Sequence, residues 1–198
     1  MVSMSEPLVQ KELDRLHPER EKLKNLDTPE KWAEAWSTIE GVWKKTVTRA
    51  RKLPEKKLHE QVDGEWSFVE TLRHLVFAID SWISRPVLGM KGHFWPGGLA
   101  NTDAPAWVSQ STGLDPKAKP TFEEALAAHK ERLKTARELI AGLTAEELNR
   151  QCKKNPEGGY PADTRKVDVL TCLRIALNEE WAHNRFALRD LAVLSAKR

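Results

Sequence analysis

Apolar residues recur every three or four positions in four long segments of the chain, and no segment alternates with a period of two. That spacing draws one stripe along a helix of about 3.6 residues per turn, whereas a half-buried strand needs strict alternation. Four such stripes bury themselves most simply against one another. The sequence therefore predicts an all-α chain, a four-helix bundle with no substantial sheet.

Each stripe has its own start signal. Thr28-Pro29-Glu30 provides an N-cap and a first-turn proline ahead of Trp32, Trp36, Ile39, Trp43 and Val47, and this first bundle helix is expected to end near Pro54. Ser67-Phe68-Val69-Glu70 is a capping box, in which the serine and the glutamate three residues on satisfy each other's free amides. It opens a second helix with Val69, Leu72, Val76, Ile79 and Ile83 on one stripe, closed by Pro86 and Gly89. Thr121-Phe122-Glu123-Glu124 is another capping box and opens a third helix that runs to Gly142. Thr144 starts a short helix, Asn155 to Pro161 is rich in turn residues, and the last helix is expected from about Lys166 to Ala196.

Two segments stand outside the four helices. From Gly89 to Pro120 the chain carries Gly92, Pro96, Gly97, Gly98, Pro105, Gly113 and Pro116, which predicts a long crossover. Such a crossover serves either as a lid over a site or as a plain link between parallel neighbours. At the start, Leu8 to Leu26 carry a thin stripe broken by His17-Pro18. Residues 1–27 are read as a helical arm laid over a bundle domain of residues 28–198.

Composition narrows the function. The 198 residues suit one core, and Lys+Arg 32 against Asp+Glu 29 is too even to announce a nucleic-acid partner. The short basic runs at Arg49 to Lys52 and at Lys56-Lys57 fit helix ends, where the dipole favours cations. No apolar run approaches the ~18 residues of a membrane span, and the first residues lack a signal-peptide layout. Cys152 and Cys172 alone cannot form a disulfide framework, so a reducing, cytoplasmic setting is expected. The fold admits a homodimer, and nothing in the sequence fixes the oligomeric state.

The chemistry centres on the last helix. Glu179 and His183 are four residues apart and project from one face, a spacing at which a carboxylate and an imidazole can share a divalent cation. A third ligand would come from a neighbouring helix, and His74 of the second helix is the candidate. Two histidines and one carboxylate leave coordination positions open for water or substrate. Rotation at 100° per residue places Glu180 and Asn184 nearer the centre of the apolar stripe, so Glu180 is an alternative ligand. Periodicity alone puts His74 on the side of the second helix away from its stripe and hence exposed, unless that helix is buried on both sides.

Asp63-Gly64-Glu65-Trp66-Ser67, His74-Leu75 eight residues after the tryptophan, and Glu179-Glu180-Trp181-Ala182-His183 together resemble the DinB-like superfamily of metal-binding four-helix bundles. That superfamily includes YfiT-like proteins and mycothiol-dependent maleylpyruvate isomerase, and Arg189-Asp190-Leu191 resembles the actinobacterial branch. The resemblance runs from about Trp32 onward. It implies a divalent ion, zinc or nickel, held by His74, Glu179 and His183. It also implies a low-molecular-weight thiol held as thiolate, with transfer or isomerisation of a small-molecule substrate as the reaction class. Some relatives carry two adjacent histidines where this chain has His183-Asn184. The rival reading from another class is a non-catalytic helical interaction or stress-response protein.

Other residues read as structural. Trp32, Trp36 and Trp43 follow helical spacing and are expected in the core, while Trp95 and Trp107, with His93, could cover the mouth of the bundle. His17, His59 and His129 lie among charged residues and are expected to face solvent. Cys172 reads as a small core residue, and Cys152 has no partner identifiable from sequence. Arg185 could meet an anionic substrate or make a salt bridge.

Overall fold

The computed structural model describes Lys11, Asp14, Arg15, Pro18 and Arg20, then residues 25–155 and 159–196. From residue 25 onward the described residues form seven α-helices: α1 (Pro29–Ala50), α2 (Glu55–Leu58), α3 (Phe68–Ile79), α4 (Trp107–Thr112), α5 (Phe122–Ala141), α6 (Ala145–Leu148) and α7 (Val169–Ala196). A π-helical segment, Asp80–Ser84, extends α3. The described residues contain no strand, only an isolated bridge between Gln151 and Asp168. Most of the arm expected over residues 1–27 lies outside the described residues; Arg20 is buried with its guanidinium 5.7 Å above the Trp181 ring.

The helices start where the cap chemistry places them. Thr28 accepts from the Lys31 amide, and both capping boxes are closed, Ser67 with Glu70 and Thr121 with Glu124. Glu55 of α2 also accepts the Phe122 amide at 3.1 Å, so one short helix helps to hold the start of α5. The four long helices close in a ring, with α1 and α3 each packing on both α5 and α7. Trp32, Trp36, Ile39, Leu72, Leu75, Ile79, Leu173 and Trp181 fill the centre.

Burial of α3 departs from the simple stripe. Every residue from Phe68 to Ile79 except Glu70 is buried. The crossover explains this: Phe94, Val108 and Leu114 form a second apolar cluster on Phe77, with Ala100, Ala104 and Tyr160 at its edge. The outer face of α3 is therefore an interface rather than a surface, and His74 is buried there at 3% exposure. The exposure that periodicity assigned to His74 is corrected by this second layer.

The crossover is held on α3 by a run of polar contacts. Arg73 Nε donates to the Gly97 carbonyl at 2.6 Å, and the Leu99 amide donates to the Arg73 carbonyl at 3.2 Å. Trp95 folds back over Gly97 so closely that a Cβ there would lie 2.6 Å from its ring. A side chain at position 97 would have to displace that ring. Trp95 thus packs against the core, while Trp107 remains exposed beside Tyr160.

Candidate metal centre

His74, Glu179 and His183 converge: one ligand atom from each lies within 4.8 Å of the others, the sole such group of three among the described residues. His74 comes from the middle of α3, Glu179 and His183 from successive turns of α7, and the contact between these two helices makes the site. His74 Nε2 lies 3.4 Å from Glu179 Oε2, and His183 Nδ1 lies 3.3 Å from the same oxygen. The side chains of Glu179 and His183 are partly exposed, at 32% and 14%, so one side of the group remains open.

The tautomers follow from the partners. His74 Nδ1 lies 3.1 Å from the Leu99 carbonyl, which can only accept, so Nδ1 carries a hydrogen and Nε2 is the ring nitrogen that faces Glu179. His183 Nδ1 likewise lies 3.0 Å from the Glu179 backbone carbonyl and donates to it. Burial, aided by His74, pulls His183 down to about 4, which leaves its imidazole neutral near pH 7. Burial pushes Glu179 up, but the His74 hydrogen bond and the two histidines outweigh it and hold the carboxyl below its ordinary value.

His74 Nε2 and Glu179 Oε2 face each other across 3.4 Å, and a cation between them would be held by both. Two imidazoles and a carboxylate are a donor set that suits a divalent ion with positions left open. The Leu99 carbonyl plays the outer part usual for a metal-bound histidine, fixing ring orientation and tautomer. The donor chemistry fits a divalent ion.

Trp66 completes the wall. Its ring lies 4.5 Å from that of His74 and 5.9 Å from that of His183. The same tryptophan lines a cleft of about 210 Å³ under the crossover with Leu99, Asn101, Ser109, Leu114 and Pro116. The sequence marked Trp66 as part of a motif, yet neither its contact with both imidazoles nor the Leu99 carbonyl was legible there.

The alternative ligand goes elsewhere. Glu180 is fully buried on the other side of α7, with both carboxylate oxygens 3.0 Å from His129 Nε2 of α5. Asn184, one turn later, donates to Thr46 Oγ1 of α1 at 2.9 Å. The residue beside His183 therefore faces the core between α1 and α7 rather than the trio. The position expected for His129 is corrected: it is 1% exposed, edge-on to Trp43 at 5.1 Å. A signal existed, since position 129 continues the Phe122, Ala125, Leu126, Leu133, Ala136 spacing, but charged neighbours masked it. His59 is exposed as expected, and His17 lies outside the described residues. Arg185 stacks its guanidinium 4.3 Å from the Phe186 ring.

Comparison with curated proteins and with solved structures finds no match. A family model described as the DinB superfamily matches residues 38–187, a span that begins within α1 and contains all three converging side chains. With that match over most of its length, and with the helical bundle it requires, the chain belongs to the DinB superfamily.

Proposed function

We propose that His74, Glu179 and His183 bind one divalent ion, zinc or nickel, and that the protein uses it for transfer or isomerisation assisted by a low-molecular-weight thiol. The observation that carries this reading is the meeting of one ligand atom each from His74, Glu179 and His183 within 4.8 Å of one another. A bound divalent ion supplies Lewis acidity, holding a coordinated thiol as thiolate near neutral pH.

The chain's own residues divide the remaining work. The Leu99 carbonyl keeps the His74 ring turned so that Nε2 faces the site. Glu179 contributes the negative charge that a divalent cation needs in a half-buried place. Trp66 shields one side of both imidazoles from water and borders the cleft, whose size suits a small organic molecule. A cytoplasmic location and a possible homodimer belong to the same reading.

Cobalt substitution tests it. Addition of a small thiol to the cobalt-loaded protein should produce an intense sulfur-to-metal charge-transfer band, absent from His74→Ala protein. A visible spectrum that stays unchanged across a panel of such thiols would rule out thiolate coordination.

A further inference from the structure

Two turns before Glu179 on α7, Cys172 lies beside the only other cysteine of the chain, with Sγ of Cys152 3.6 Å from Sγ of Cys172. Both are buried, at 4% and 0% exposure. The backbone holds them there from two directions. The Cys152 amide donates to the Val167 carbonyl at 2.8 Å, and the Val169 amide donates to the Arg150 carbonyl at 3.0 Å, on either side of the Gln151–Asp168 bridge. The Cys172 amide donates to the Asp168 carbonyl at 3.1 Å as α7 begins. Residues 150–152 and 167–172 therefore form one hydrogen-bonded corner that holds the two cysteine backbones side by side.

Disulfide bonds are about 2.05 Å long, so the sulfurs need to approach by roughly 1.5 Å, a distance within reach of side-chain rotation. We propose that Cys152 and Cys172 form a covalent modification site, an intramolecular disulfide closed by hydrogen peroxide or another small two-electron oxidant of that class.

The pair has two distinct roles. The hydrogen bond with Cys172 holds the Cys152 thiol below its ordinary value, with Arg150 adding to the effect, whereas the same bond and burial push Cys172 up. Cys152, which keeps 4% exposure against none for Cys172, is the sulfur an oxidant reaches first, which makes it the attacking thiol and Cys172 the resolving one. The Cys152 sulfur attacks one peroxide oxygen, the O–O bond breaks, and the departing hydroxide takes up a proton as water. The Cys172 sulfur then attacks the sulfenic acid, the S–S bond forms, the S–O bond breaks, and the Cys172 proton leaves in a second water. Two thiols and one peroxide become one disulfide and two waters.

The link would close the loop that carries Tyr160, whose ring lies 5.8 Å from Phe77 on the outer face of α3. It concerns no metal ligand, so it stands or falls independently of the metal reading.

The test uses the reduced full chain exposed to peroxide, alkylated under denaturing conditions and mapped without reductant. The expected result is a Cys152–Cys172 linked peptide in a monomer, joint loss of both alkylatable thiols, and a raised Tm that dithiothreitol reverses. Cys172→Ser protein should stop at a sulfenic acid on Cys152 that dimedone traps. Thiols that remain fully alkylatable under conditions that consume free cysteine would overturn the proposal. Intermolecular dimers or sulfinic acid in place of the internal link would do the same. The wild-type mapping decides the question even if the serine variant fails to fold.

Discussion

His74 and Leu99 are joined by one hydrogen bond, imidazole Nδ1 to backbone carbonyl at 3.1 Å, that ties the crossover to the second bundle helix. Arg73 holds the strip of chain just before that bond, through its side chain to the Gly97 carbonyl and its own carbonyl to the Leu99 amide. The crossover, which the sequence leaves open as a lid or a plain link, is thereby the outer support of a candidate ligand.

Replacement of Arg73 by glutamine should release the Gly97 carbonyl and loosen the Leu99 bond without removing any ligand. Outer-shell losses of this kind usually weaken metal affinity about tenfold or more. Competition with a chelating dye should show that drop in zinc affinity while the circular dichroism spectrum stays helical. An unchanged affinity in folded protein would remove Leu99 from the account.

Glu179 and Glu180 are neighbours in sequence with opposite tasks. Glu180→Ala leaves the buried His129 without its partner, and loss of one member of a buried pair typically costs about 3 kcal/mol or more. Glu179→Ala, at a third-exposed position, should cost less than about 1 kcal/mol of the metal-free protein's stability. Denaturant unfolding of the stripped variants should rank them in that order. Metal binding should reverse it, with Glu179→Ala impaired and any folded Glu180 variant intact.

Glu70 links pH to stability through the capping box of α3. Burial raises it, but hydrogen bonds from Ser67 and Gln61, with Arg73 nearby, hold its carboxyl below the ordinary 4.5. A depressed carboxyl stabilises the fold fully above its unfolded value and loses that contribution as pH falls through the lower folded value. Wild type should exceed Glu70→Gln by about 0.5 kcal/mol near pH 7, since glutamine keeps the capping acceptor and loses only the charge at the helix start. That gap should narrow progressively below about pH 4.5 in urea unfolding, with 4.5 as the ordinary value quoted above. A gap independent of pH would assign the effect to something other than the carboxylate.

Much of the bundle was legible because caps and stripes are local. Thr28, Ser67 and Thr121 mark the starts of α1, α3 and α5, and the Trp32 to Val47 spacing marks a buried face. The trio was also legible, since Glu179 and His183 lie four apart and the motif around Trp66 and His74 is compact. What escaped depends on layers the stripe cannot report. His74 looked exposed because the crossover's apolar residues, Phe94, Val108 and Leu114, are dispersed among glycines and prolines and show no period. His129 looked solvent-facing because its neighbours Lys130 and Glu131 are charged, although its own position continues the apolar stripe. The contact of Cys152 with Cys172 required the irregular chain between α6 and α7 to turn back on itself, and no local rule gives that path.

The account rests on a shared ion, and metal analysis of tag-free protein tests it most directly. Wild type and Arg185→Gln should each carry close to one equivalent of divalent metal after zinc loading and exhaustive desalting. The double variant His74→Ala, His183→Ala should carry none while remaining helical. Equal metal content in wild type and in the folded double variant would contradict the account.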